Sequence, residues 1–155
     1  MNIKEGIEKR FSVRAFTDEV PKLETIKEIL KTANAAPSGD NIQPWKVYVL
    51  SEHAKNNLAK ETLQNFDAGV QEEIEYDIYP KPLADEYKKR RYECGADMYN
   101  ALSIEKDDLD SRFKQIRENY NFFGAPIGMI ITIDRSFGSN GSVSYTHLTL
   151  PTSYA

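Results

Sequence analysis

The segment "ANAAPSGDNIQPWKVYVL", residues 33–50, joins the end of one predicted element to the start of another. Before it, apolar residues at spacings of three and four predict an amphipathic helix, which Pro37 and Gly39 terminate. After it, the β-branched and aromatic residues of "KVYVL" predict a strand that begins after Pro44. The small and amide residues between the two elements suit neither, so they need a reason of their own.

Composition limits the classes of protein that are possible. The chain has 155 residues, of which 40% are hydrophobic and 28% charged, and these values are typical of one folded globular domain. The 24 acidic and 20 basic residues are mixed along the sequence and give a net charge of -4. Because no basic face follows from this pattern, we do not expect a nucleic-acid partner.

Compartment and metal content also follow from simple counts. The apolar run "PIGMIITI" is too short to cross a bilayer, and the charged N-terminus lacks a signal peptide's apolar segment. We therefore predict a cytoplasmic protein without a membrane partner. One cysteine and two histidines offer no zinc-ligand spacing, so no metal site is expected. Cys94 falls on the apolar face of a predicted helix, which indicates a buried structural thiol.

The remaining pattern predicts helices, one further strand and a long loop. Helices are expected over "NIKEGIEKR", from Glu52 to Phe66, and along two later apolar stripes. The second stripe, at steps of four, three, four and three, predicts a helix from Leu109 to Phe123. "IGMIITID" follows as a strand that is apolar on both faces, which indicates the middle of a sheet covered by helices. Residues 67–83 have no steady period and predict a loop or lid.

The segment "KRFSVRAF" contains groups that suit a phosphate. Arg10 and Arg14 flank the hydroxyl of Ser12, and guanidinium groups match phosphate oxygens in geometry and charge. The alternative is that both arginines are solvated surface charges, and the triplet by itself does not decide between the two.

The turn "APSGDNIQPW" contains groups that suit a flat heteroaromatic ring. Its small residues allow close approach of the backbone, and the amides of Asn41 and Gln43 can both donate and accept hydrogen bonds. The alternative is a plain helix stop and turn. Trp45 is interpreted as a core residue under either hypothesis.

Three motifs in order resemble the FMN-dependent nitroreductase family. These are "RFSVRAF", then "AAPSGDNIQPW" after a helix that begins with proline, and later "NYNFFGAPIGMIITID". The family pattern is Arg-x-Ser-x-Arg-x-Phe followed by Pro-Ser-x-x-Asn-x-Gln-Pro-Trp. The likeness covers residues 1–138, which we predict to be a partial nitroreductase-like FMN-binding domain.

The resemblance implies a fold and a cofactor site. The fold would be α+β, with three layers, in which a mixed β-sheet is flanked by helices. The protein would be a homodimer with FMN at the subunit interface. The residues that would hold the phosphate or line the isoalloxazine ring, the latter from the partner subunit, are Arg10, Phe11, Ser12, Arg14, Pro37, Ser38, Gly39, Asn41 and Gln43.

The resemblance also implies a reaction. NADH or NADPH would reduce FMN at its N5 atom, and a nitroaromatic, quinone or related acceptor would then take the electrons by a ping-pong mechanism. No catalytic side chain would be needed. Tyr76 and Tyr79 in the long loop are candidate substrate contacts, although plain packing would also explain them. A dehalogenase or a flavin-degrading relative on the same fold is an alternative.

The sequence departs from the family pattern after Phe137. Family members continue through a helix with a Gln-Asn pair and a C-terminal segment, whereas here "SNGSVSYTHLTLPTSYA", residues 139–155, follows. We therefore expect a fold that is incomplete at its C-terminus and a tail outside the family. The tail resembles translated read-through of a sequencing adaptor, which suggests that it is not native. A non-catalytic fragment that binds flavin weakly or not at all is accordingly a further alternative.

Overall fold

The computed structural model of the chain describes residues 2–71, 77, 79–138 and 148. These residues form helices and one pair of strands, so the α+β class is confirmed. The strands are β1 (Trp45–Leu50) and β2 (Gly128–Ile133). The helices are α1 (Ile3–Lys9), α2 (Leu23–Ala33), α3 (Glu52–Asp67), α4 (Asp85–Ala101) and α5 (Leu109–Arg117), with single 3-10 turns at Gly39–Asn41, Phe122–Gly124 and Arg135–Phe137.

Local side-chain caps explain where two of the helices begin. At α1, the Asn2 side chain accepts from the Glu5 N–H at 2.9 Å, and the Glu5 carboxylate accepts from the Asn2 N–H at 2.9 Å. At α5, the Asp108 carboxylate accepts from the Ser111 N–H at 3.0 Å. This bond favours the ionised form and lowers the pKa of Asp108.

The chain divides into two compact units, of which the first comprises Met1–Asn57 and Phe123–Ala155. Within it, β1 and β2 pair antiparallel, with Trp45 opposite Ile133 and Leu50 opposite Gly128. The described residues of this sheet are these two strands, so the mixed sheet stays a prediction. The core of the unit consists of buried Ala33, Ala36 and Leu148, with Trp45, Val47 and Ile131 packed against it.

The turn between α2 and β1 has an unusual backbone. Asp40, Asn41 and Gln43 have φ angles of 49°, 55° and 48°, which lie in the left-handed region. For residues other than glycine this conformation costs roughly 1–2 kcal/mol of conformational energy, although aspartate and asparagine tolerate it best. Three such residues within four positions therefore make a strained turn, and strain of this kind is concentrated at functional sites.

The second unit comprises Leu58–Phe122. Phe66 near the end of α3 stacks on Phe113 with ring centroids 5.0 Å apart and lies 4.7 Å from the ring of Tyr120. Beside these rings, Arg117 grips the Asp67 carboxylate with two hydrogen bonds, Nε to Oδ1 at 2.7 Å and a terminal nitrogen to Oδ2 at 2.6 Å. The Arg117 hydrogen bonds lower the pKa of Asp67 below its ordinary value.

Two predictions from the apolar stripes are wrong. The predicted helix from Leu109 to Phe123 ends at Arg117 and is followed by turns at residues 118–121. Phe122 and Phe123, with φ angles of 53° and 51°, cannot belong to a right-handed helix. Cys94, predicted to be buried, is exposed. The physical reason is that none of the residues of α4 is buried, so its apolar stripe does not face a core within the described part of the chain.

None of the helices in the described ranges is long and apolar enough to cross a membrane. The cytoplasmic location stays a prediction.

The Asp67–Arg117 pair makes stability depend on pH. Because the pKa of Asp67 is lowered in the folded state, its contribution is complete above the ordinary aspartate pKa of about 4 and is lost as the pH falls through the folded value. We expect Asp67→Asn to lower the melting temperature at pH 7, by a few degrees at most because both side chains are more than one third exposed. The difference from the parent should shrink below about pH 4.

Thermal denaturation of both proteins between pH 2 and 8 measures this difference. Asp97→Asn in α4 is the matched control, because Asp97 has no ion pair within the described ranges. A gap between parent and Asp67→Asn that stays constant across the acid range would contradict the proposed linkage.

The left-handed turn predicts a reversed ranking of glycine and alanine. At Asp40, glycine should give a more stable protein than alanine by about 1 kcal/mol, because alanine pays for a positive φ and glycine does not. At Lys31 inside α2, alanine should instead be better by about 1 kcal/mol. Urea denaturation of the four variants measures both differences, and the same ranking at the two positions would exclude a left-handed Asp40.

Candidate functional site

The predicted phosphate-binding segment follows α1 and has no regular secondary structure. Arg10 caps α1 with extended backbone angles, φ -69° and ψ 130°, and residues 11–20 are all exposed. Among the large apolar side chains of this segment, Phe11 is the most exposed, with 72% of its surface accessible. Since side chains two residues apart share one side of an extended backbone, Arg10, Ser12 and Arg14 can face one ligand together.

The two arginines of this segment keep their charges available. The guanidinium carbon of Arg14 lies over the ring of Phe123, 5.7 Å from its centroid, in a cation–π contact that uses none of the N–H donors in a hydrogen bond to an oxygen. Within residues 2–71, 77, 79–138 and 148, neither Arg10 nor Arg14 forms an ion pair. Two exposed cations without a carboxylate partner are an arrangement that an anion can complete.

The second predicted segment is held by hydrogen bonds across its own turn. The Gln43 backbone N–H donates to the Ser38 hydroxyl oxygen at 2.9 Å, and the Gln43 side-chain amide donates to the Asn34 carbonyl at 3.0 Å. The amide nitrogen of Gln43 is therefore engaged within the turn, while its amide oxygen is an acceptor that a ligand can use.

Asn34 also fixes the start of β1. Its side-chain oxygen accepts from the Trp45 indole N–H at 3.0 Å, and the Trp45 ring packs against the core of the first unit. The interpretation of Trp45 as a core residue is confirmed. Gly39 lies at the outer side of this turn, where an added Cβ would meet nothing within 4 Å, and Pro37 and Asn41 are exposed.

Both predicted segments are described by the structure, but no polar contact joins one to the other within the described residues. No hydrogen bond or ion pair joins residues 10–14 to residues 37–43 in the part of the chain that is described. Each segment is a separate exposed surface on the first unit.

Of the two tyrosines predicted as substrate contacts, Tyr79 is within the described part of the chain and Tyr76 is not. Tyr79 belongs to the second unit, is 46% exposed, and carries the guanidinium of Arg91 over its ring at 4.6 Å from the centroid. The assignment of Tyr79 to a substrate stays a prediction.

Sequence reasoning missed three residues that shape these surfaces. Asn34 anchors the turn and Phe123 supports Arg14, as described above. Lys55 is the third, a lysine only 5% exposed whose ammonium donates to the Ala125 carbonyl ahead of β2. An asparagine just after an apolar helical stripe is a recognisable helix-end signal. Lys55 had none, because a lysine in a polar helix is usually solvated.

Comparison with known proteins places the chain in a family. The family model "Nitroreductase family" matches residues 7–148. A 4-nitrobenzoate reductase of Nocardioides sp. (strain LMS-CY) is 38% identical over 131 residues, which is 82% of this chain and 53% of that protein. A nitrobenzene nitroreductase of Ectopseudomonas oleovorans is 32% identical over 134 residues, which is 86% of this chain and 59% of that protein.

Solved structures give the same placement. The FMN and NADPH-dependent nitroreductase NfnB from Sphigopyxis sp. strain HMH superposes with a TM-score of 0.89 at 30% identity, over 98% of this chain and 69% of that one. The chain spans between one half and three fifths of the length of the two curated relatives named above. The predicted nitroreductase-like fold is confirmed by this superposition, and the chain belongs to the Nitroreductase family.

Proposed function

We propose that this chain binds FMN and acts as an oxidoreductase that reduces nitroaromatics, quinones or related acceptors with NADH or NADPH. The observation that carries the proposal is the exposed pair Arg10 and Arg14, whose cations flank the Ser12 hydroxyl without a carboxylate partner in the described ranges. Family membership and the FMN-dependent relative support it.

The phosphate end of the cofactor fits the first segment. Arg10 and Arg14 would each direct N–H groups at phosphate oxygens, and the Ser12 hydroxyl would add one donor. The cation–π contact with Phe123 restricts where the guanidinium of Arg14 lies before the phosphate arrives. Phe11, which follows Arg10 in the sequence and is exposed, would cover the ribityl side of the ligand.

The ring of the cofactor fits the turn between α2 and β1. The polar edge of an isoalloxazine ring both donates and accepts hydrogen bonds, and the amides of Asn41 and Gln43 can answer both needs. Because the Asn34 carbonyl takes one N–H of the Gln43 amide, the oxygen and the second N–H of that amide are left for the ring. Pro37, Ser38 and Gly39 add a surface of small residues that a flat ring can approach.

Bound FMN would supply the redox chemistry, accepting hydride from NADH or NADPH and passing two electrons to the acceptor in a ping-pong cycle. The chain's own side chains would bind and orient, and no nucleophile is required of them. Tyr76 and Tyr79 are kept as candidate contacts for the acceptor on the sequence grounds given above.

A second copy of this chain would complete the site. The two predicted segments have no hydrogen bond or ion pair between them in the described ranges, which is expected if the turn serves the FMN held by the partner's arginine segment. Large apolar side chains exposed on the first unit, such as Phe11, Phe16 and Val20, supply surface that dimerisation would bury. The proposal also keeps the predicted boundary at residue 138, with residues 1–138 as the FMN-binding domain and residues 139–155 as a tail outside it.

The phosphate assignment predicts a selective loss of affinity. Arg14→Ala should weaken FMN binding by about tenfold to a hundredfold, which is the usual cost of a lost charge-assisted hydrogen bond. Riboflavin, which lacks the phosphate, should bind parent and variant equally. Fluorescence quenching of both flavins measures the two constants, with Lys9→Ala as the control for an adjacent cation outside the triplet. An equal loss for FMN and riboflavin would exclude a phosphate role.

The dimer assignment predicts that flavin and size change together. Size-exclusion chromatography with absorbance detection should show flavin bands that co-elute with a dimer and bleach anaerobically on addition of NADH or NADPH. A strictly monomeric protein with stoichiometric FMN would contradict the placement of the turn in the partner's site. A colourless protein that added FMN does not change would favour the alternative of a non-catalytic fragment.

A further inference from the structure

The second unit contains a cleft. Its lining residues, from Lys88 to Arg112, are distant in the sequence from both predicted flavin segments. Its volume is about 570 Å³, which is within the usual range of small-molecule sites. One face of α4 forms its floor, with Lys88, Tyr92, Gly95 and Tyr99 at helical spacings of four, three and four. The loop after α4 and the start of α5 provide the remaining walls.

The cleft is basic although the chain as a whole is acidic. The cationic side chains that line it are Lys88, Arg91, Lys106 and Arg112, and Glu105 is the one carboxylate among the lining residues. Lys88 is partly neutralised by Asp85, 2.9 Å from its ammonium. The other three cations have no ion pair within the described part of the chain.

Two of these cations are held with their donor edges open. The guanidinium of Arg112 lies 4.2 Å from the ring centroid of Tyr99, and its Nε donates to the Glu105 carbonyl at 3.2 Å. This leaves the terminal nitrogens of Arg112 for a ligand. Arg91 lies over the ring of Tyr79 in the same way. A guanidinium placed by a cation–π contact, with N–H donors still unpaired, can offer its planar fork to a carboxylate or phosphate.

The floor of the cleft suits an aromatic ring. Gly95 and Ala96 at the middle of α4 carry little or no side chain, and an added Cβ at Gly95 would meet nothing within 4 Å. Tyr92 is 65% exposed beside them, and half-buried Ile104 faces them from the loop. A flat ring can therefore rest on the helix backbone between two apolar side chains, within reach of the cations.

We infer that this cleft binds a small aromatic anion, meaning a planar ring that carries a carboxylate or a phosphate. The ring packs over Gly95 against Tyr92 and Ile104, while Arg91, Lys106 and Arg112 surround the anionic group. The lining residues of the cleft belong to the second unit, whereas the proposed FMN-binding residues belong to the first.

Titration of the full chain with 2-naphthoate, 2-naphthyl phosphate and neutral 2-naphthamide tests the inference. We expect one or both anions to shift the amide NMR signals of residues 91–106, with an affinity that falls as salt is added, and naphthamide to bind at least tenfold more weakly. The naphthoate and phosphate arms distinguish the two kinds of anionic group. Equal binding of naphthamide, or shifts confined to residues 10–14, would overturn the inference, as would no binding by either anion.

Variants locate the site more sharply. The double variant Arg91→Gln with Lys106→Gln should weaken anion binding about tenfold or more, because two charged donors are lost. Lys89→Gln with Arg90→Gln removes the same charge from residues of α4 that do not line the cleft, and should change the affinity less than about twofold. An equal loss in both double variants would indicate only general attraction and would overturn the inference.

Gly95→Leu tests the floor independently of charge. A Cβ at this position would meet nothing within 4 Å. Leucine also has a higher helix propensity than glycine, by a little less than the roughly 1 kcal/mol that glycine costs relative to alanine. The variant should therefore fold at least as well as the parent. It should abolish binding by filling the space for the ring. Unchanged affinity in a folded Gly95→Leu variant would overturn the placement of the ring.

Discussion

Asn34 connects the end of α2, the strained turn and the start of β1. Its backbone carbonyl accepts from the Gln43 side chain and its own side-chain oxygen accepts from the Trp45 indole. One residue thereby fixes the Gln43 amide, a candidate FMN contact, on one side and a core aromatic ring on the other. The left-handed residues between them persist because both ends of the turn are tied.

The same hydrogen bonds connect the core of the first unit to the turn that is proposed to contact the FMN ring. Trp45 packs against the buried cluster of Ala33, Ala36 and Leu148, and its strand pairs residue by residue with β2. The position of Gln43, two residues before Trp45, is therefore set by the packing of the core and by the register of the sheet. A ligand that meets this turn meets a preorganised group, which reduces the entropy lost on binding.

Guanidinium groups recur on both units in one arrangement. Arg14 lies over Phe123, while Arg91 lies over Tyr79 and Arg112 over Tyr99. In each case the aromatic ring contacts the cation without a carboxylate partner among the described residues, so the charge is placed without being neutralised. Asp67 and Arg117 show the opposite arrangement, in which a carboxylate takes the guanidinium edge and the pair serves stability.

The sequence by itself determined the elements, the family and the candidate FMN-binding residues, because helical periods, proline and glycine stops and short motifs are local signals. It did not determine that the helix from Leu109 ends at Arg117, since two phenylalanines with positive φ leave no mark in an apolar stripe. Nor did it show that Cys94 is exposed, that Lys55 is buried against the Ala125 carbonyl, or that Asn34 holds the turn. Only the tertiary structure decided these points, because burial and hydrogen-bond partners depend on what lies opposite in space, and a periodic pattern shows which face is apolar but not what covers it.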